Sequence, residues 1–182
     1  MAEIKRIAII GPESTGKSDL CRKLADRFHG TCCPEFAREY LTKYGKDYSF
    51  DDLLSIAKAQ LKMEDDLQEK ANGYYFIDTE MNVLKVWCEV VFGNCHTWIL
   101  KQIAERKYDF YLLCDVDLPW VSDELREYPD FTFRKKLFAM YKDIVVNGNT
   151  PWAVVSGADE ARAEAAATIL DSVFEKRNLF FQ

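Results

Sequence analysis

The apolar run Ile4 to Ile10 leads directly into Gly11-Pro12-Glu13-Ser14-Thr15-Gly16-Lys17-Ser18, and a stretch of helical period follows. Every fixed position of the pattern G-x-x-x-x-G-K-S/T is met. A chance match belongs to well under about one chain in a hundred, given ordinary residue frequencies. The spacing tolerates one local order, which is strand, tight glycine turn, helix. Gly11 and Gly16 let the backbone curl so that successive N–H groups point inward, and the helix that starts there adds its positive end. Such a concave loop holds phosphate. Lys17 then reaches the β and γ phosphates, and Ser18 offers its hydroxyl to Mg²⁺. The implied cofactors are ATP and Mg²⁺, held by Gly11, Glu13, Ser14, Thr15, Gly16, Lys17 and Ser18.

The rest of the chain fits a fold built around that turn. Short apolar runs at Ile4 to Ile10, Thr31 to Cys33, Tyr74 to Ile77, Phe110 to Cys114 and Trp152 to Val155 alternate with segments of helical period. Strands without polar alternation are buried on both faces. The reading is therefore α/β: a P-loop NTPase fold with a five-stranded parallel sheet and helices on both faces. Leu20, Leu24 and Phe28 form one apolar helix face, and Val83, Trp87 and Val91 another. Ser49 to Ala71 reads as a long helix opened by Ser49-x-x-Asp52, with Leu53, Ile56, Ala57, Gln60, Leu61 and Leu67 as its stripe. Further helices are expected near Thr132 to Val146 and Asp159 to Lys176. Asp115 to Asp130 has two prolines, many charges and weak periodicity, so the spacing predicts an exposed loop, with a lid over about 115–134.

Composition narrows the class. With 182 residues the chain suits one domain, residues 1–182, and 48% hydrophobic residues suffice for a core. The net charge of −6 argues against nucleic acid as a partner. No apolar window reaches the length of a membrane span, and the start lacks the apolar region of a signal peptide. Six cysteines without a Cys-x-x-Cys pair, and two histidines, indicate neither zinc nor a disulfide framework. Reduced thiols and a cytoplasmic location are the expectation. The closing EKRNLFFQ partly matches a protease-site scar, but its mismatches favour native sequence.

In a parallel sheet the ligand sits beyond the carboxyl ends of the strands. Pro34-Glu35 follows the second strand, Asp78-Thr79-Glu80 the third and Asp115-Val116-Asp117 the fourth. Phosphoryl transfer needs one carboxylate to take the proton of the attacking hydroxyl and another to hold hydrated Mg²⁺. Glu35 and Asp78 are placed for these two jobs, in either assignment, with Thr79 on the nucleotide side. Helix capping is the competing role for Asp78. Arg38 shares a helix face with Glu35, as an acceptor contact or an exposed ion pair. Arg126 and Arg134 are candidates to close over the phosphoryl group, and Arg162 to flank the adenine. Tyr40, Tyr44, Tyr48 and Trp87 lie near the acids and suit a cationic ring.

Without an Asn-Lys-x-Asp element for guanine, or room for the extra helical domain of a motor ATPase, a small-molecule kinase remains. GPESTGKS, PEFAREYL, FIDTE with downstream Val86-Trp87 and Phe92-Gly93, and DVDLPWVSDELREYP together resemble the ribosylnicotinamide kinase domain of NAD-salvage proteins, a P-loop kinase within the AAA-type ATP-binding families. The more discriminating elements are PEFAREY and the set Asp117, Pro119, Trp120, Asp123 and Arg126. The resemblance implies ATP- and Mg²⁺-dependent phosphorylation of the 5′-hydroxyl of nicotinamide riboside. It implies Asp117 and Trp120 beside the acceptor, together with Glu35, Arg38, Tyr40, Asp78 and Trp87. No adenylyltransferase is implied, since no His-x-x-His or His-x-Gly-His element is present. Rival readings are a kinase for another nucleoside or a nucleoside monophosphate, and an ATP-binding regulatory module with little turnover.

Overall fold

The computed structural model describes the backbone of residues 3–179 and the side chains of residues 3–174. The side chains of the EKRNLFFQ segment lie outside the described residues. Five strands, β1 (Lys5–Ile10), β2 (Thr31–Cys33), β3 (Tyr74–Asp78), β4 (Phe110–Cys114) and β5 (Trp152–Val155), form one sheet in the order β2-β3-β1-β4-β5. Every pairing is parallel. Ile7, Ile9, Phe76, Leu112 and Cys114 project to one face and Ala8, Ile77, Leu113 and Tyr75 to the other, and all are buried. That is why the strands read as apolar runs without alternation.

Helices α1 (Lys17–Phe28) and α7 (Asp159–Leu179) cover the first face, with Leu20, Leu24, Ala166 and Leu170 in a shared core. The opposite face is covered by α3 (Phe50–Gln68), α4 (Met81–Phe92) and α6 (Phe131–Asn147). Two nine-residue helices escaped the sequence pattern: α2 (Phe36–Tyr44) and α5 (Thr97–Glu105). Each buries too few side chains to show a stripe, Ala37 and Leu41 in α2 and Ile99 in α5. The Ser49-Asp52 capping box opens α3 as its spacing predicts.

Two readings are corrected. On α4, Val91 is exposed, and the inner face runs instead through Val83, Val86 and Val90, less than one helical turn away. Cys21 and Cys32 are joined as a disulfide, with Cα atoms 6.0 Å apart. Packing of α1 against β2 brings them together, which no chain spacing announces. Cys33, Cys88, Cys95 and Cys114 remain free and buried. No helix among the described residues is long and apolar enough to cross a membrane.

Candidate active site

The loop between β1 and α1 takes the shape its glycines predict. Gly11 has φ 140°, and a Cβ there would stand 2.9 Å from the Cys114 carbonyl oxygen, so β4 excludes any side chain. Gly16, the N-cap of α1, has φ 76°, and Ser14 also lies in the left-handed region at φ 57°. Alternating hand of this kind is what aims consecutive N–H groups into one concavity. Thr15 Oγ1 donates to the Pro12 carbonyl at 2.7 Å and Lys17 Nζ to the same oxygen at 2.9 Å, closing the loop on itself.

A cavity of about 590 Å³ opens from this loop. Gly11, Glu13, Ser14, Thr15, Gly16, Lys17 and Ser18 line it together with Glu35, Asp78, Arg38, Trp87 and Arg126. Asp78 is 1% exposed, and its Oδ2 has no hydrogen-bond partner among the described residues. Burial pushes its carboxyl up, against the lowering effects of Lys17 and of the Ser18 hydroxyl. Capping is not its job: Glu80 caps α4, its side chain accepting from Asn82 N. Burial, then the charge of Asp78, raises Glu35 above the ordinary glutamate range. Glu35 is the N-cap of α2 yet makes no capping bond with its side chain. Gln60 of α3 does that work, accepting from Phe36 N at 2.7 Å and donating to Pro34 O at 3.1 Å. The carboxylate of Glu35 is thereby left for the cavity.

Residues 115–130 form the irregular crossing expected of them, with Phe131–Asn147 helical after it, and they rest on both rims of the cavity. Beside the β1–α1 loop, Val121 N donates to Ser14 Oγ at 3.1 Å and Glu127 N to Glu13 Oε1 at 3.0 Å. Beside α2 and α4, Arg38 pairs with Asp123 at 3.0 Å, and Tyr48 OH donates to Glu127 at 2.9 Å while accepting from Trp87 Nε1 at 2.9 Å. Arg126 faces the cavity with Nη1 donating to Val121 O at 2.6 Å.

Six expected site residues stand outside the cavity lining. Arg134 is buried and donates to Ser14 O at 2.9 Å, so it meets the loop's main chain from behind rather than a phosphate. Asp117 accepts from Gly157 N at 2.6 Å and pairs with Arg162, turned toward the end of β5. Trp120 packs over the Arg134 guanidinium at 5.6 Å. Tyr40 donates to Asp52 at 2.5 Å and joins the α2–α3 core. Thr79 is buried, its amide donating to Ile9 O. Arg162, expected beside adenine, donates to Thr15 O at 3.0 Å.

Sequence reasoning missed Arg22, Val83, Val86, Val90, Tyr128, Leu137 and Tyr141, all of which line the cavity. Arg22 had a signal, lying one helical turn beyond Ser18. Tyr141 had none, because α6 reaches the cavity only through tertiary packing.

The family model described as AAA domain matches residues 6–162, most of the chain. The chain belongs to this family. Among curated proteins, the chain is similar to the trifunctional NAD biosynthesis/regulator protein NadR of Salmonella typhimurium, 30% identical over 160 residues, and to that of Escherichia coli, 29% identical over the same length. In each case 86% of this chain matches 39% of the relative, so it spans about two fifths of their length. Its fold resembles NadR protein in complex with NR, at TM-score 0.71 and 18% identity, over 92% of this chain and 51% of that one. Thymidylate kinase from Ehrlichia chaffeensis superposes at TM-score 0.65 and 14% identity, over 93% and 100% of the two chains. Deoxyadenosine kinase from M.mycoides gives 0.63 and 17%, over 91% and 98%. At these identities the solved structures establish the P-loop kinase fold.

Proposed function

We propose that this AAA-domain chain is an ATP-dependent kinase that phosphorylates the 5′-hydroxyl of a ribosylnicotinamide-type nucleoside. The single observation that carries the reading is the pair Glu35 and Asp78 lining one cavity with Lys17 and Ser18. The similarity to NadR over 86% of the chain supports the acceptor class.

The chain's own residues divide the work. The loop N–H groups and Lys17 hold the β and γ phosphates. Ser18 and Asp78 fit Mg²⁺: a hydroxyl stands close to a carboxylate whose buried Oδ2 lacks a partner among the described residues. No group of three or more His, Cys, Asp or Glu side chains among the described residues would enclose a metal. Mg²⁺ needs none, since it takes one or two protein oxygens and completes its shell with phosphate and water. When bound it offsets charge on the transferring phosphoryl group. Glu35 accepts the hydroxyl proton, and its raised pKa brings it nearer the working pH of a general base. Arg126 adds positive charge as the transfer proceeds.

Glu13, Glu35 and Asp78 give the cavity an acidic lining, and Trp87 and Tyr128 supply ring faces. A cationic pyridinium nucleoside is attracted to both. A monophosphate acceptor has a specific observation in its favour, namely Arg22, Arg38 and Arg126 on the lining. Asp19 and Asp123 already pair with the first two, at 3.5 and 3.0 Å, which weakens that reading.

A coupled ADP-release assay over nicotinamide riboside, other nucleosides and nucleoside monophosphates tests the proposal. Fastest turnover with nicotinamide riboside is expected. Preference for a monophosphate transfers the assignment to the second reading. ATP binding without turnover on any acceptor marks a regulatory module.

A further inference from the structure

Arg134 and Arg162 come from α6 and α7, and neither lines the cavity. They are 2% and 3% exposed. Such burial of a guanidinium is costly unless its donors are used. Arg134 Nη2 donates to the Ser14 carbonyl at 2.9 Å and Nη1 to Leu118 O at 3.4 Å. Arg162 Nη1 donates to the Thr15 carbonyl at 3.0 Å, Nε to Gly157 O at 2.7 Å, and Nη2 pairs with Asp117. Two buried cations thus hold two consecutive carbonyls of the phosphate loop.

In a trans peptide the C=O of one residue and the N–H of the next point in opposite directions. Drawing the Ser14 carbonyl outward turns Thr15 N–H inward, and drawing the Thr15 carbonyl outward turns Gly16 N–H inward. Ser14 at φ 57° occupies a region that non-glycine residues hold only when their surroundings impose it. The guanidinium on its carbonyl is such an imposition. Both arginines also place positive charge behind a loop whose front meets phosphate, and Arg134 has no carboxylate within ion-pair distance among the described residues.

We infer that Arg134 and Arg162 are positioning residues that fix the inward aim of the Thr15 and Gly16 N–H groups, so that the loop binds nucleotide polyphosphate preorganised. The inference rests on the reading of this loop as a nucleotide cradle. Asp117 belongs to the same device, because it holds the Arg162 fork in place.

Titration calorimetry with ATP and with AMP, on wild type, Arg134→Met, Arg162→Met and the corresponding Lys variants, tests it, with melting followed in parallel. Removal of either guanidinium is expected to raise the Kd for ATP by roughly ten- to a hundredfold, the range for a hydrogen bond to a charged group. The Kd for AMP, which lacks the β and γ phosphates, should change much less, and Lys should recover part of the ATP loss. Lowered melting temperatures with wild-type ATP affinity overturn the inference, since plain packing residues would behave so. Equal weakening of ATP and AMP also overturns it. Should the Met variants not fold, Asp117→Asn, which keeps both arginines, decides by the same measurement: weakened ATP binding supports the device and unchanged binding refutes it. Failure of the wild type to bind ATP would instead strike the cradle reading.

Discussion

Glu35 and Asp78 leave the sheet side by side, because β2 pairs with β3 in parallel and Cys33 stands opposite Ile77. Their surroundings differ. Burial raises both carboxyls and Lys17 acts to lower both, but the Ser18 hydroxyl lowers Asp78 while the charge of Asp78 raises Glu35. The proposed reading gives Asp78 the cation and Glu35 the proton. Glu35→Gln and Asp78→Asn should each lower kcat by about 10² or more. A base must be ionised, so activity is expected to fall as pH drops through a Glu35 pKa lying above 4.5. Glu35→Gln should erase that acidic limb from the residual rate, and a limb unchanged in the variant would assign it elsewhere.

Lys17 Nζ donates to Pro12 O, and among the described residues Lys17 is not part of the apolar core. Lys17→Ala should therefore cost about 10² to 10³ in kcat or more, the scale for one lost charge-stabilising donor. Its melting temperature should stay within a few degrees of wild type. Wild-type turnover in this variant would sink the phosphate-site assignment.

The phosphate loop was legible in the chain because phosphate geometry fixes its spacing. Strand-end acids were legible because apolar runs stop abruptly at Glu35 and Asp78. Arg134 and Arg162 were legible as candidate ligand contacts but not as supports behind the loop, since only tertiary packing brings them under Ser14 and Thr15. Short α2 and α5 escaped because one or two buried residues make no period. Cys21 and Cys32, 11 positions apart, meet only through packing of α1 on β2. In each case the missing information is long-range: the residue type is visible and its destination is not.

Arg126 reaches the cavity from a segment tied to Glu13, Ser14, Arg38 and Tyr48. Its own guanidinium is held by Val121 O. An arginine so placed contributes most when negative charge spreads over the transferring group. Arg126→Ala should reduce kcat well beyond its effect on ATP affinity, as expected of a contact strongest in the transition state. A surface residue would change stability by at most about 0 to 1 kcal/mol and leave the rate alone. Steady-state kinetics beside direct ATP titration separates the two.

Glu80, the buried cap of α4, has its pKa pushed up to about 8, chiefly by burial. Its unfolded value lies near 4.5. Between these limits the folded chain holds a proton that the unfolded chain has released, so stability must fall as pH rises from about 4.5 to about 8. The slope is at most about 1.4 kcal/mol per pH unit. Glu80→Gln, neutral throughout and still able to accept from Asn82 N, should flatten this decline. Urea unfolding of both proteins at pH 5, 6.5 and 8 checks it, and parallel slopes would remove Glu80 as the cause.

Gln60 supplies the last prediction, because it is buried and grips the main chain on both sides of Glu35. Its two bonds replace the side-chain cap that Glu35 does not make, so losing them leaves Phe36 N and Pro34 O short of partners. Either those groups stay unpaired, at a cost of about 1 to 3 kcal/mol each, or Glu35 turns back to cap α2 and leaves the cavity. Gln60→Leu permits the second outcome, which lowers kcat without altering Lys17, Ser18 or the loop. Gln60→Glu keeps the acceptor toward Phe36 N and should retain more activity. The expected result for Gln60→Leu is a kcat reduced at least about tenfold with ATP affinity unchanged. It should also show a pH–rate profile whose acidic limb moves toward the ordinary glutamate range, as Glu35 exchanges the buried floor for a solvated helix end. A loss of stability with kcat and the limb both preserved would show that Gln60 merely packs, and that Glu35 holds its place without it.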